Sequence, residues 1–214
     1  MNAISWNCRG IGGTRRKQFL KDSMHATRAS FVFLSETKAS YRRMYRFMRS
    51  VPGFKFCIVP ARGLSGGLCL AWRDDLDAQI LHTSQNHIAA YITMKGKPPW
   101  VLVGIYGDPS HYRNRELWQN LSYVIGANDL VCLMGDFNEI LNGDEKFGGS
   151  SRVKSSTVDF KNFVFENGLI DMGYKGPAYT WTNKRGVSQA IFQRLDRVLV
   201  TSSWLHQFPN AYVN

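Results

Sequence analysis

Side chains that can bind a metal ion or a phosphate follow apolar runs at five places in the chain. They are Asn7 after Trp6, Glu36 after the run Phe31–Leu34, Tyr106 after Ile105, the pair Asp136 and Asn138 after Met134, and Asp196 beside Leu195. In layered α/β proteins the ends of strands gather functional sites, because the rigid strand aims the side chain and the loop stays open. The set therefore indicates a metal or phosphate site.

Each of these residues also has a purely structural interpretation. Asn7 could cap a turn, and Glu36 could pair with Lys38 or with an arginine. Asp136 and Asn138 could form an Asx turn, and Asp196 could be a core carboxylate held by a flanking arginine. Such turns and pairs explain the five places one at a time, but not all five together.

Short apolar runs between turn residues predict the strands that would carry these residues. We expect strands at 3–6, 31–34, 54–59, 67–72, 77–83, 87–94, 100–106, 130–134 and 195–200. The runs between 54 and 106 follow one another without helices, which favours antiparallel pairing over a purely parallel sheet. The predicted class is layered α/β with mixed sheets, as one continuous domain over 1–214.

Four segments predict helices around those strands. Thr14 would cap the first, with Phe19, Leu20 and Met24 facing inward, and the second covers 41–49. The third follows Ser110 and ends before Gly126, with Leu117, Leu121, Val124 and Ile125 on one face. The fourth has a capping box of Ser156 and Asp159 and ends at Gly168.

The charge balance favours a polyanionic partner. The chain has 27 Lys and Arg against 16 Asp and Glu, a net charge of +11, and the basic residues look scattered, as on a surface that follows a phosphate backbone. Solubility alone is the alternative explanation. Nucleic acid, in particular duplex DNA, is the predicted partner.

The cysteines and the apolar runs bear on the compartment. Four cysteines without a CxxC pair argue against a structural zinc site and fit a reducing compartment. The sequence has neither a transmembrane run nor a visible signal peptide, so we expect an intracellular protein that does not bind membranes. A nuclear location follows only from the predicted substrate.

One glycine-rich segment suggests an alternative function, the binding of a dinucleotide. Gly10, Gly12 and Gly13 follow a strand and precede a helix, which resembles a dinucleotide-binding fingerprint. The third glycine position is occupied by Arg15, however, and the interpretation leaves Asp136, Asn138 and Asp196 without a role. We therefore rank dinucleotide binding last.

Four motifs in order resemble the endonuclease/exonuclease/phosphatase family, which includes DNase I and the apurinic/apyrimidinic endonucleases. They are Trp6-Asn7-Cys8-Arg9-Gly10, Ser35-Glu36-Thr37-Lys38, Gly135-Asp136-Phe137-Asn138 and Arg194-Leu195-Asp196. The segments 66–70, 176–181 and 195–199 look closer to endonuclease domains of plant LINE-type (non-LTR) retrotransposons. The resemblance covers essentially the whole chain. It implies a four-layered α/β sandwich, in which two packed mixed sheets are flanked by helices.

The resemblance also implies roles for the matching residues. Glu36 would be the main ligand of Mg²⁺ or Mn²⁺ with Asn7 beside it, and Asp136 would activate the attacking water. Asn138 and Tyr106 would contact the phosphate, and Asp196 would orient a catalytic histidine. This chemistry is sound, because a hard cation neutralises a phosphodiester and amide donors stabilise the developing charge.

The sequence departs from the family pattern twice. Arg9 stands where many members have an acidic residue, and the Ser-Asp-His motif that ends the family domain does not occur. We read the nearest histidine, His206, as a surface residue. We therefore expect a domain that is incomplete at its C-terminus, without the last strand, and weak or inactive in catalysis.

Three functions follow in order of preference. The first is a metal-dependent phosphodiesterase, in particular a DNA-nicking endonuclease of retrotransposon origin. The second is a phosphatase of the same family that acts on small phosphorylated substrates. The third is a catalytically inactive fragment that binds nucleic acid.

Overall fold

The computed structural model describes residues 1–63, 65–110, 113–150, 155–186 and 189–214. The chain divides into two units, Met1–Tyr106 and Gly107–Asn214, and each is described by itself. No helix in these described ranges combines the length and the apolar character needed to cross a membrane.

Within its described residues, the first unit contains seven strands and two helices. In chain order they are β1 Ala3–Asn7, α1 Thr14–Ala26, β2 Phe31–Ser35, α2 Tyr41–Arg49, β3 Phe54–Val59, β4 Leu68–Arg73, β5 Asp77–Thr83, β6 His87–Met94 and β7 Lys97–Tyr106. Four strands form a mixed sheet in the order β1-β2-β4-β3, in which only β1 and β2 run parallel. Strands β5, β6 and β7 pair antiparallel.

Strand β2 is the centre of this unit, because all five of its residues are buried. Val32 and Leu34 belong to the core cluster that includes Leu20 of α1 and Met44 of α2. Phe31 points the other way, and its ring meets Trp100 of β7 edge to face at 5.7 Å. An unbroken apolar run is what a strand buried on both faces requires.

In the part that the structure describes, the second unit has six strands and three helices. They are α3 Asn114–Gly126, β8 Val131–Asp136, β9 Lys146–Phe147, α4 Ser155–Glu166, β10 Leu169–Asp171, β11 Trp181–Thr182, β12 Phe192–Gln193, β13 Asp196–Thr201 and α5 Ser202–Gln207, with a 3-10 turn at Gly143–Glu145 before β9. One antiparallel ladder runs β10-β13-β8 and a smaller one β11-β12-β9. Trp118 of α3 stacks against Phe160 and Phe163 of α4, with centroids 5.0 Å apart in both pairs.

A buried ion network ties the second unit together. The Arg197 side chain is fully buried and donates to Glu145 and Asp171, at 2.8 Å each. Arg194 donates to the same two carboxylates. Burial would raise the pKa of Glu145 and of Asp171, but the bonds from Arg197 and Arg194 outweigh it and hold each below its ordinary value.

Several predicted details differ from the structure. Phe19 is 61% exposed rather than inward-facing, because it lies at the edge of α1 and covers Trp6 at 5.6 Å. Gly13, not Thr14, occupies the N-cap of α1, Gly126 is the last residue of α3, and Ser156 lies inside α4 rather than at its cap. The basic residues are not evenly scattered either, because the first unit carries 16 Lys and Arg against 5 Asp and Glu, whereas the second carries 11 of each.

The strand predictions are otherwise confirmed to within three residues, and the bounds of α2, β3, β5 and β6 agree at both ends. All four cysteines are free thiols. Burial raises the pKa of the Cys132 thiol to about 12. His206 is exposed on α5, as predicted.

Breaking the buried network should destabilise the protein strongly. We expect Arg197→Met to lower the free energy of unfolding by roughly 3–5 kcal/mol, because it leaves two carboxylates with one arginine between them. Urea unfolding measures this change. Arg115 pairs with Asp159 at 3.7 Å on the surface, with its own side chain 76% exposed, so Arg115→Met is the control and should cost less than about 1 kcal/mol. Equal losses in the two variants would contradict a structural role for the network.

Candidate active site

Asn7, Glu36 and Tyr106 come together in the first unit. Asn7 ends β1 and donates from Nδ2 to Glu36 Oε1 at 2.9 Å. The Tyr106 side chain at the end of β7 is also hydrogen-bonded to Glu36. Lys38 places its ammonium 3.3 Å from Glu36 Oε2. Since β1 and β2 are parallel, with Asn7 opposite Ser35 in the ladder, both polar residues leave the sheet at the same edge.

The backbone that carries Glu36 is strained and held from two sides. Glu36 and Lys38 have φ of 47° and 48°, a region that residues with a Cβ rarely adopt. Thr37 between them donates its N–H to Gly67 O at 3.0 Å and accepts from the Ile11 N–H at 2.9 Å. A Cβ at Gly67 would lie 2.4 Å from the Thr37 hydroxyl, so glycine is required there. Such strain persists only where the surroundings fix the conformation, which is common at functional sites.

The surroundings of Glu36 keep its carboxylate ionised. Burial would raise its pKa, but hydrogen bonds from Asn7, Tyr106 and Lys38 outweigh this effect and hold the pKa below the usual glutamate range. The side chain is 18% exposed, so the charge is partly shielded from water yet accessible. Two of its donors, Asn7 and Tyr106, are neutral and leave the negative charge in place.

A half-buried turn before β6 holds Tyr106. Asn86 donates from Nδ2 to Tyr106 O and accepts from the Tyr106 N–H, both at 2.8 Å. The next residue, His87, is fully buried; its Nδ1 lies 2.9 Å from Ser84 Oγ and its Nε2 lies 2.8 Å from His82 Nδ1. Burial first, and the neighbouring His82 second, lower the pKa of His87 to about 4. The imidazole is therefore neutral at pH 7.

Asp136 and Asn138 form a second group, in the second unit, at the end of β8. Asp136 is buried and accepts the Asn138 N–H on Oδ1 at 3.0 Å. Asn138, with φ of 51°, donates from Nδ2 to Gly107 O at 2.8 Å, and the Gly107 N–H donates to Asp136 O at the same distance. An amide nitrogen has two N–H groups, so this bond uses only one of them. Gly107 thus fixes both residues from its backbone.

Asp196 lies directly opposite Asp136 in the β13–β8 ladder. Opposite residues of an antiparallel pair point to the same face, where like charges are unfavourable. The flanking Arg194 and Arg197 both bind Glu145 and Asp171. Thr180 Oγ1 accepts the Leu195 and Asp196 N–H groups at 3.0 and 3.1 Å and fixes the backbone there.

The structural interpretations of these residues are partly confirmed as well. Glu36 does pair with Lys38, and Asp136 with Asn138 does make the bond of an Asx turn. The sequence pattern did not identify Asn86, His87 or Thr180 as supporting residues. For the contact between Asn138 and the Gly107 backbone, the sequence offered one signal, which is the glycine directly after Tyr106.

The residues around Glu36 fit a hard divalent cation of the Mg²⁺ type. Mg²⁺ keeps several waters and is commonly held by one or two carboxylates together with substrate phosphates. Both Glu36 oxygens retain acceptor capacity beside their bonds to Asn7 and Lys38. Among the residues that the structure describes, no group of three or more His, Cys, Asp or Glu could hold a metal ion. The contacts of Glu36 fit the other way of binding Mg²⁺, in which one carboxylate, waters and a substrate phosphate are the ligands.

Comparison with known proteins identifies the fold and the family. The model of the endonuclease/exonuclease/phosphatase family matches residues 4–212, whereas no curated protein sequence matches the chain. The endonuclease domain of TRAS1, a telomere-specific non-LTR retrotransposon, is similar to the structure with a TM-score of 0.71 and 16% identity, over 95% of this chain and 86% of that domain.

Two other solved structures are similar in the same way. An AP endonuclease, LMAP from Leishmania major, has a TM-score of 0.76 at 15% identity, over 94% of this chain and 78% of that one. The 3′ phosphatase NExo from Neisseria, bound to a product DNA hairpin, has a TM-score of 0.70 at 15% identity, over 94% and 86%. The predicted fold class, two mixed sheets flanked by helices, is confirmed. The likeness to plant LINE-type elements stays a prediction.

Because His87 is neutral in the folded protein, the free energy of unfolding should decline as the pH falls below 6.5. Its folded-state pKa lies below the ordinary histidine value of 6.5, so its contribution is present above pH 6.5 and is lost as the pH falls toward 4. A shift from 6.5 to about 4 corresponds to at most about 3 kcal/mol. Urea unfolding between pH 7.5 and 5, a range chosen to lie above the ordinary carboxylate pKa values of about 4, should show a decline in wild type and a flatter profile in His87→Asn. Parallel profiles would contradict this assignment.

Adding one methyl group at Gly107 should disturb the Asp136–Asn138 turn. A Cβ at Gly107 would lie 2.0 Å from Phe137 O, so we expect Gly107→Ala to cost about 1–3 kcal/mol of unfolding free energy. Gly126→Ala is the control, because nothing lies within 4 Å of its Cβ position and alanine favours a helix. Thermal unfolding of both variants tests the contact; a Gly107→Ala protein as stable as the control would refute it.

Proposed function

The chain belongs to the endonuclease/exonuclease/phosphatase family, and from that premise we propose that it is a metal-dependent phosphodiesterase that nicks DNA. The family and its structural neighbours are nucleases and phosphatases, which supports phosphodiester or phosphate-ester hydrolysis. The observation that carries the proposal is the Glu36 carboxylate, which neutral donors keep ionised at the end of a buried strand.

The proposed cofactor is Mg²⁺ or Mn²⁺, with Glu36 as its main protein ligand. When bound, the cation would neutralise the phosphate oxygens and stabilise the leaving oxygen. Asn7 orients the Glu36 carboxylate through its 2.9 Å bond. Lys38 already places a positive charge 3.3 Å from Glu36 Oε2, and its half-exposed side chain can turn into solvent when a stronger cation competes for the oxygen.

The remaining predicted residues have roles that their own contacts support. Asp136 is the proposed base for the attacking water, with one oxygen fixed by the Asn138 N–H. Asn138 has a further N–H that would stabilise charge on a phosphate oxygen. The resemblance gives Asp196 the role of orienting the catalytic histidine of the Ser-Asp-His motif, which this sequence lacks. Tyr106 bonds to Glu36 in the described geometry, and its contact with the phosphate is part of the proposal.

DNA is the proposed substrate because the positive charge suits a long polyanion better than a small phosphate ester. NExo, with its bound product hairpin, is a structural neighbour that binds DNA. An origin in a retrotransposon, close to plant LINE-type elements, and a nuclear location are further parts of this proposal.

Nicking of supercoiled plasmid DNA tests the function directly. We expect wild type to nick weakly with Mg²⁺ or Mn²⁺, because the sequence lacks the Ser-Asp-His motif, and not at all with EDTA. Glu36→Gln keeps the shape of the side chain and removes its charge, so it should slow nicking by roughly 100-fold or more. Asp136→Asn should cost about 10²–10⁴-fold, the range for loss of a general base.

The control is Glu166→Gln, which changes the charge of an exposed acidic residue on α4 by the same amount. Nicking by wild type and Glu166→Gln, abolished in the two site variants, is the expected pattern. A folded wild type that binds DNA but does not nick it would favour an inactive binding protein. Release of inorganic phosphate from a small ester without nicking would favour the phosphatase.

A further inference from the structure

Helices α1 and α2 enclose a groove whose charge the proposed chemistry does not use. Its volume is about 450 Å³. The lining includes Lys17 and Lys21 from α1, Arg43 and Arg46 from α2, and no acidic residue. We call it the α1–α2 groove. In the described part of the chain, none of these four cations forms an ion pair with an acidic residue.

The charge is concentrated on these two helices. The first unit accounts for the whole net charge of +11, since the second has equal numbers of acidic and basic residues. Half of the first unit's 16 basic residues lie on α1 and α2, against a single acidic residue, Asp22. Asp22 accepts a hydrogen bond from Gln18 at 2.8 Å. An evenly charged surface that serves only solubility would not show this concentration.

The charge in the first turn of α1 opposes helix stability, whereas Arg46 and Arg49 in the last turn of α2 favour it, so folding alone does not explain the charge on α1. Neither helix has an acidic residue in its first turn, where the positive end of the helix dipole favours one. Instead Arg15, Arg16 and Lys17 occupy the first turn of α1. Like charges that line one groove repel each other until a counter-charge is bound.

Several of the cations are held in position. Lys17 lies over the Phe47 ring at 5.9 Å, and Arg43 donates to Gly12 O at 3.3 Å. Lys17 and Lys21 are half-buried. A groove with cations already ordered loses less side-chain entropy when it binds an anion.

The two helices that line the groove begin soon after Asn7 and Glu36 in the chain. Helix α1 follows the loop after Asn7, and α2 follows the loop after Glu36. Arg16 donates to Arg9 O and Gly10 O, at 3.2 and 2.8 Å, which ties the start of α1 to the Asn7 loop. From Thr14 to Lys21 the helix rises about 10 Å, about the axial length of three phosphates of one DNA strand.

We infer that the α1–α2 groove binds the phosphodiester backbone of the DNA that flanks the scissile bond, which rests on the proposed nicking function. The groove reads charge and not sequence, because all four cations can reach phosphate oxygens without a base edge. It adds affinity to the DNA on one side of the cut and makes binding more sensitive to salt.

Binding of duplex DNA in EDTA, where no cutting competes, tests the inference. The groove variant K17Q/K21Q/R46Q leaves Arg43 and its bond to Gly12 intact. With a fluorescent duplex of about three helical turns, we expect its Kd to rise on the order of tenfold near 100 mM salt. Its slope of log K against log salt should be shallower by about three, one for each phosphate that the variant no longer neutralises.

Two further triple variants separate charge from folding. K55Q/K95Q/K161Q removes the same charge from exposed positions that do not line the groove and should keep the wild-type slope. K17R/K21R/R46K conserves charge and should bind as wild type does. Matching thermal unfolding of all proteins shows that the groove variant is folded.

The outcomes also distinguish this inference from the nicking function. Equal slopes for the groove variant and K55Q/K95Q/K161Q would overturn the groove contact, even if wild type nicks plasmid DNA. Groove-dependent binding of anionic lipid vesicles, with unchanged DNA binding, would also overturn it. A groove-dependent DNA slope without nicking by any protein would refute the nuclease activity and leave the DNA contact standing.

Discussion

The burial of β2 on both faces constrains everything around Glu36. All five residues of the strand are inaccessible, so the chain can place an accessible carboxylate only after the strand has ended. It does so at once, with φ of 47° at Glu36 and 48° at Lys38. Each such conformation costs about 1–3 kcal/mol. Backbone bonds from the loop after β1 and from Gly66 and Gly67 stabilise it, so the carboxylate is aimed before any ligand binds.

The two units stabilise their partly buried carboxylates by different contacts. Glu145 and Asp171 meet Arg194 and Arg197, which neutralise them within the fold. Glu36 instead meets the neutral donors of two other strands and one flexible lysine. Neutral donors lower the pKa without cancelling the charge, and a charge that is not cancelled can still attract a cation. The difference separates a structural carboxylate from one suited to bind a ligand.

How much the sequence could predict depended on the range of the interaction. Strand β2 and the polar residue at its end were visible, because burial on both faces leaves an unbroken apolar run. The contact of Asn86 with Tyr106 was not, since the two residues are 20 positions apart and meet only through strand register. Phe19 was placed inward because helical spacing marks a face but not its edge, where a ring can cover Trp6 and stay exposed.

The same limit applies to charge. A net charge of +11 indicated a polyanionic partner, yet a total does not say which surface carries it. The fold places eight of the basic residues on two neighbouring helices, and the chain order places the starts of those helices just after Asn7 and Glu36. A metal site needs negative oxygens, and a phosphate backbone needs positive side chains. Because the loops after β1 and β2 are short, one pair of parallel strands supplies both: oxygen ligands at the strand ends, and cations on the helices that follow.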